Sequence, residues 1–301
     1  MFLFNVDRNI FKSIEKMELM DKSTYVQNET ELKQKINKIK IDGSSKLHII
    51  SDFDRTITKA FVEGQKTPTS LAQIREGKYL TKDYPEKAHA LFDKYHAYEI
   101  SNTIPKEERD KKMVEWWTAH LELLIKSGMN EGVVKDIIQR KKIHVREGTP
   151  ELLDILNEYK IPLLIFSAGN GNVIEEYLKS EDKLYNSIHI VSNFFKFNKK
   201  GLATGYVSDK IIHTFNKNEI GLKNTPYYNQ IKKRKNLILL GDSLGDLDMA
   251  EGLEHDNIIK IGFLNEDASK LFEDYSKRFD VVILNDGPMH YVNSLIKEIL
   301  K

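Results

Sequence analysis

Asp52, Asp54 and Thr56 alternate along Ser51-Asp52-Phe53-Asp54-Arg55-Thr56. Two further carboxylates, Asp242 and Asp246, stand in Gly241-Asp242-Ser243-Leu244-Gly245-Asp246, and Ser167 heads Ser167-Ala168-Gly169. Carboxylates drawn into one site cannot all stay ionised without a counter-charge. A hard divalent cation with oxygen ligands supplies it. Magnesium suits few carboxylates, several waters and a substrate phosphate oxygen. A carboxylate not fully committed to the metal can attack phosphorus, and a second one two residues later can protonate the leaving oxygen and then activate water. The equatorial oxygens of a phosphoryl group need positive charge and hydrogen-bond donors. Ser167, neighbouring backbone N–H groups and a lysine would provide them.

Each segment alone reads as an ordinary turn, and Ser167 alone as a capping serine. They gain meaning from the elements that precede them. Leu47-His48-Ile49-Ile50 is a short apolar run ending at Asp52, Ile161–Phe166 is a second ending at Ser167, and Leu237–Leu240 a third ending at Gly241-Asp242. Ile188–Val191, Ile258–Ile261 and Val281–Leu284 are further apolar runs, alternating with helical patterns after Gly148. The expectation is an α/β fold with a Rossmann-like, doubly wound, mostly parallel sheet. Such sheets deliver strand ends to one crevice, where Asp52, Asp54, Ser167, Asp242 and Asp246 would meet. Asn198-Lys199-Lys200-Gly201 signals a hairpin. Thr149 is expected to cap a helix with Pro150 at its first position.

Between residues 59 and 145 the pattern turns polar, aromatic and helical, with Val114, Trp117, Leu121, Leu124 and Ile125 forming a stripe and no convincing strand. The expected organisation is a helical lead-in over 1–45 (with Leu32, Ile36 and Ile39 at helical spacing), a catalytic core over 46–58 and 146–301, and an inserted helical cap over 59–145.

Bulk properties exclude several function classes. Lys plus Arg (46) nearly balances Asp plus Glu (45), so the composition points neither to nucleic acid nor to an anionic membrane as a partner, and Lys232-Lys233-Arg234-Lys235 reads as solvated loop charge. The absence of cysteine removes disulfide and thiolate chemistry. The polar first ten residues do not form a signal-peptide core, and no stretch is long and apolar enough to span a membrane. A cytoplasmic monomer is expected.

With Asp52-x-Asp54-x-Thr56, Ser167, a lysine and Gly241-Asp242-x-x-x-Asp246 in that order, the chain resembles the haloacid dehalogenase superfamily. Longer stretches resemble the pyrimidine 5′-nucleotidase family, the cytosolic type III nucleotidases. They are Met113-Val114-Glu115-Trp116, Ile165-Phe166-Ser167-Ala168-Gly169, Val191-Ser192-Asn193-Phe194, Phe215-Asn216-Lys217 with Leu222-Lys223-Asn224-Thr225, and Leu239-Leu240-Gly241-Asp242-Ser243. The resemblance runs from about Lys46 to the C-terminus. It implies hydrolysis of nucleoside 5′-monophosphates, with CMP, UMP or 7-methyl-GMP as candidates. It also implies Asp52 as nucleophile and Asp54 as general acid/base. Mg2+ would be held by Asp52, the backbone carbonyl of Asp54 and Asp242, with Asp246 in support. Phosphate would be held by Ser167 and Lys217, with Lys223 as the alternative lysine. Two positions depart from the family pattern: Arg55 stands where an apolar or small residue is usual, and Asn172 where Asp is frequent. Asn172 is expected still to cap the following helix.

Substrate choice would then fall to the inserted helices. Glu99, in Tyr98-Glu99-Ile100, resembles the base-contacting segment of the family. Trp116 and His120 lie four residues apart on one helical face and could sandwich a base. A phosphatase for another monoester such as phosphoserine, and an inactive binding protein on the same fold, are the alternatives.

Overall fold

The computed structural model describes residues 23–101, 103–208, 210–217 and 226–301. Among the described residues seven strands form the central sheet: β1 (Thr24–Val26), β2 (Leu47–Ser51), β5 (Leu163–Asn170), β6 (Ile188–Asn193), β9 (Asn236–Gly241), β10 (Asn257–Leu264) and β11 (Val281–Leu284), in spatial order β1-β11-β10-β9-β2-β5-β6. All pairings are parallel except β1 with β11, so the fold is doubly wound and mostly parallel, as the alternation predicts. Side chains alternate across the faces. Ile49, Ile165, Ile238 and Leu240 join one buried cluster with Leu32, Ile36 and Ile39 of α1 (Glu29–Asp42) and with residues of α6 (Thr149–Glu158), α7 (Gly171–Ser180) and α10 (His290–Leu300). Their neighbours Ile50, Leu164, Leu237 and Leu239 face the other way, onto Tyr227 and Ile231 of α8 (Pro226–Ile231) and Met249. Farther along that face, α9 (Ala268–Arg278) packs Phe272 and Tyr275 on Val282 and Leu284. The segment before Lys46 thus adds an antiparallel edge strand and a packed helix to the same body, while the part of the expected lead-in within residues 1–22 lies outside the described residues.

Between β2 and β5 run α2 (Ala72–Glu76), α3 (Tyr84–Ile100), α4 (Lys106–Lys126) and α5 (Glu131–Gln139). They share a core of Ile74, Tyr84, Leu121, Leu124, Val134 and Ile137, which continues into Phe195 and Ala203 of the hairpin β7 (Phe195–Phe197)–β8 (Ala203–Tyr206). Three sequence expectations change here. The region contains a small hairpin, β3 (Phe61–Val62) with β4 (Gln65–Lys66), too short to show a period. In the α4 stripe Val114 is exposed and Met113 takes the buried place. Helix α6 is capped by Gly148 in the left-handed region (φ 84°), with Thr149 already helical and its hydroxyl buried without a partner. The chain leaves and re-enters the core side by side: Thr58 bridges Val145, and Lys59 N donates to His144 O at 2.8 Å.

Candidate active site

The carboxyl ends of β2, β5 and β9 lie together because these strands are neighbours, and Asp52 N donates to Leu240 O at 3.0 Å across the β2–β9 seam. Carboxylate oxygens of Asp52, Asp242 and Asp246 lie within 4.8 Å of one another. Asp246 is fixed by a capping box at the start of the 3-10 helix Leu244–Ala250, its Oδ2 accepting from Ser243 N (3.0 Å) and Ser243 Oγ (2.9 Å). Gly241 permits this approach, since a Cβ there would fall 2.4 Å from the Asp246 Cβ.

Lys217 is buried and donates to Asp246 Oδ1 at 2.6 Å and to Asp52 Oδ1 at 3.0 Å. Burial alone would lower its pKa, but Asp246 and Asp52 more than offset that and hold the ammonium well above its ordinary range. Burial pushes the Asp52 carboxyl up to about 7. Lys217 pulls against this, while Asp246 and Asp54 add to it. Asp242 is likewise raised by burial and by Asp246 and Asp52. Three carboxylates therefore face one ammonium, and this all-oxygen donor set fits a hard divalent cation. The Asp54 carboxylate stands apart from that set. Its Oδ1 accepts from Ser70 N (2.7 Å) and its Oδ2 from Ser70 Oγ (2.8 Å). Burial raises its pKa and the Ser70 bonds oppose the rise. Ser167 is buried beside Gly169, whose N–H donates to Ser167 Oγ at 3.0 Å.

The pit opens into a cleft of about 600 Å³ that also reaches Arg75, Phe92, Glu99, Trp116, Trp117 and His120. Trp116 stacks on Tyr95 (centroids 6.1 Å) and meets the edge of Phe92. His120 Nε2 is 3.0 Å from Tyr84 OH, and burial, with a contribution from Arg75, lowers its pKa to about 4. Glu99 is engaged at both oxygens, Oε1 by Thr214 Oγ1 (2.9 Å) and Oε2 by His96 Nδ1 (3.1 Å). Every site residue expected from the sequence lines this cleft, and Lys223 lies outside the described residues. The Asn172 expectation is corrected: Asn170 caps α7, accepting from Asn172 N and Val173 N, while Asn172 Oδ1 instead takes Phe195 N at 2.8 Å. Sequence reasoning missed Ser70, Thr214 and Arg75, which no strand-end motif marks. Trp117, a member of the expected helical stripe, packs against the α2–α5 core and also lines the cleft, its buried indole N–H without a partner.

The family model for pyrimidine 5′-nucleotidase (UMPH-1) matches residues 55–300. The chain belongs to the pyrimidine 5′-nucleotidase family. It is 36% identical over 284 residues to the 7-methylguanosine phosphate-specific 5′-nucleotidase of Gallus gallus, covering 94% of this chain and 98% of that one. With the enzyme of the same description from Homo sapiens it shares 33% identity over 283 residues, 94% of each chain. A crystal structure of cytosolic 5′-nucleotidase IIIB bound to cytidine superposes with a TM-score of 0.83 at 32% identity, over 92% of this chain and 93% of that one. A probable phosphoserine phosphatase from Vibrio cholerae (TM-score 0.50, 12% identity) shares the fold alone. As a member of the family the chain is a 5′-nucleotidase, a phosphoric monoester hydrolase of haloacid dehalogenase-like fold.

Proposed function

We propose that the chain hydrolyses nucleoside 5′-monophosphates in two phosphoryl-transfer steps, with Asp52 as nucleophile and Asp54 as general acid and base. The observation that carries this reading is the meeting of Asp52, Lys217, Asp242 and Asp246 at the floor of a cleft whose wall is aromatic. In the first step an Asp52 oxygen bonds to phosphorus, the phosphorus–O5′ bond breaks, and Asp54 gives its proton to the departing nucleoside oxygen. The raised Asp54 pKa favours the protonated form this requires. In the second step Asp54 takes a proton from water, whose oxygen bonds to phosphorus as the Asp52–phosphate bond breaks, returning Asp52 and free phosphate. Lys217 and Ser167 hold the phosphoryl oxygens. Mg2+, held by Asp52, the Asp54 carbonyl and Asp242, would neutralise the phosphate and the clustered carboxylates. Asp246 supports the site by anchoring Lys217.

The base is proposed to lie on the α3–α4 wall, stacked at Trp116 and His120 with Glu99 at its edge. In the described arrangement Thr214 and His96 each take one oxygen of Glu99, and a base amino or ring N–H group would bond to a remaining lone pair or exchange with one of them. Cytosine offers an amino donor and guanine both donor types. CMP and 7-methyl-GMP are proposed as better substrates than AMP, in keeping with the cytidine and 7-methylguanosine named for the relatives. A monomer is proposed as the acting unit. Action in the cytosol agrees with relatives named as cytosolic nucleotidases, and no helix among the described residues is long and apolar enough to cross a membrane.

The test is phosphate release with Mg2+ from CMP, UMP, AMP, GMP, 7-methyl-GMP and phosphoserine. The expected order places CMP and 7-methyl-GMP first. Preference for AMP would overturn the base reading, and preference for phosphoserine would overturn the nucleotide reading of the cleft.

A further inference from the structure

Arg146 is the bulkiest fully buried side chain among the described residues, and its guanidinium reaches three backbone carbonyls as well as two side chains. Nε donates to Thr56 O at 2.7 Å, Nη1 to Gly287 O at 2.8 Å, and Nη2 to Asn265 Oδ1 at 2.7 Å and to the Arg55 carbonyl. Nη1 also lies 2.9 Å from Asp286 Oδ1, and the guanidinium covers the Phe263 ring at 4.3 Å. Its partners serve the same places. Asn265 Nδ2 donates to the Arg55 carbonyl at 3.0 Å, and Asp286 accepts from Ala60 N (2.8 Å) and Phe61 N (3.0 Å).

The acceptors explain why an arginine stands here. They lie in several directions around one plane, which suits a rigid five-donor fork and not the three donors of an ammonium. A buried cation is weak evidence for stability and is better explained by what it fixes. Here it fixes the two carbonyls that directly follow Asp54. Arg55 sits at φ 62°, in the left-handed region, which a long side chain rarely occupies without contacts that impose it. Thr56, held through its carbonyl, donates its hydroxyl to Asp242 Oδ1 at 3.3 Å. The main chain of Arg146 is itself part of the crossing, since its N–H donates to Ile57 O at 2.9 Å next to the Thr58–Val145 bridge. One residue thus touches the Asp52–Thr56 loop, both chain crossings and the loop after β11.

We propose that Arg146 is a positioning residue that sets the Asp52–Thr56 loop from the point where the chain re-enters the core, and so sets the disposition of Asp52, Asp54 and Asp242 toward a divalent cation. The inference rests on the proposed Mg2+ site. It gives the chain crossing a second task, because a shift of the α2–α5 helices about it would reach the cation ligands through Arg146.

The test is calorimetric titration of the whole protein with Mg2+ in the absence of substrate, beside steady-state CMP hydrolysis. Arg146→Lys keeps the charge near Asp286 but cannot reach Thr56 O, Arg55 O and Gly287 O together. It is expected to unfold in a native-like cooperative transition, to bind Mg2+ about tenfold or more weakly, and to lose kcat by about 10- to 100-fold with KM for CMP little changed. Asn265→Ala, at a half-buried site, removes one acceptor of Arg146 and one donor to Arg55 O. It is expected to shift Mg2+ affinity the same way by a smaller factor, and it decides the matter if Arg146→Lys does not fold. Wild-type Mg2+ affinity and kcat in the folded Arg146→Lys protein, or in Asn265→Ala where that variant must decide, would reduce Arg146 to a structural role and overturn the inference alone. A wild-type chain with no affinity for Mg2+ would overturn the proposed metal site and this inference with it.

Discussion

Lys217 Nζ is held closer to Asp246 Oδ1, at 2.6 Å, than to Asp52 Oδ1, at 3.0 Å, so the lysine beside the proposed nucleophile is anchored chiefly by a residue that need not touch substrate. Asp246→Asn keeps the size of that anchor and removes its charge. Phosphate release should fall about 10- to 100-fold in kcat/KM, the usual effect of losing an outer-shell partner. Wild-type kinetics in a folded variant would show that Lys217 is placed by other contacts.

Surplus negative charge at the floor of the cleft predicts a metal requirement. Exhaustive chelation should abolish hydrolysis and Mg2+ should restore it, while Ca2+, with its looser geometry and higher coordination number, should support it poorly. Mg2+ should also raise the thermal midpoint of the protein without substrate, because binding to the folded state alone adds to its stability. Full activity after chelation would contradict the reading of Asp52, Asp242 and Asp246 as a cation site.

Gly169 is wedged among the reacting groups. A Cβ there would fall 2.2 Å from Ser70 Oγ, 2.8 Å from Asp54 Oδ2 and 3.1 Å from Ser167 Oγ, whereas a Cβ on Gly205 would meet nothing within 4 Å. Gly169→Ala should therefore lower kcat by at least about tenfold, since displacements near 1 Å in an active site cost up to about 100-fold. Gly205→Ala should leave turnover unchanged. Equal activity in the two variants would show that Asp54 tolerates being moved.

The sheet and the motif residues could be read from the sequence because their signals are local. Leu163–Phe166 and Leu237–Leu240 are continuous apolar runs, Leu47–Ile50 is broken only by His48, and each is followed by small or polar residues. What could not be read depends on distant partners. Thr24–Val26 is three residues long and is a strand only because β11 pairs with it. Ser70 lies 16 residues from Asp54 in a stretch without regular periodicity, and it reaches the carboxylate only because the chain folds back after β4. Arg146 looks like any surface arginine until Arg55, Thr56 and Gly287 converge on it. Capping failed for a similar reason at α6. Thr-Pro is a fair start signal, but the preceding Gly148 can adopt the left-handed turn and moves the boundary back by one residue.

Acid should weaken the fold through His120. An imidazole in the unfolded chain titrates near 6.5, whereas burial, aided by Arg75, holds His120 to about 4. A lowered pKa in the fold means that the unfolded chain takes up the proton first. The stability gained from a neutral His120 is whole above pH 6.5 and is lost as pH falls from there toward about 4, by up to about 1.4 kcal/mol per pH unit. His120→Gln cannot titrate and can still bond to Tyr84 OH. Denaturant unfolding between pH 7 and pH 5 should show a shallower loss in the variant than in the parent chain. Identical pH slopes would mean that His120 is not held neutral.

The central claim is that phosphate passes through Asp52, and borohydride trapping tests it most directly. A reaction with CMP and Mg2+ is quenched in acid during turnover and treated with borohydride, which reduces an acyl phosphate to an alcohol, and the peptide spanning residue 52 is then analysed by mass. The expected result is homoserine in place of Asp52, dependent on substrate and absent in Asp52→Asn, whose turnover should fall by several orders of magnitude while the fold is retained. Reduction at a different residue, or undiminished turnover in a folded Asp52→Asn protein, would contradict it.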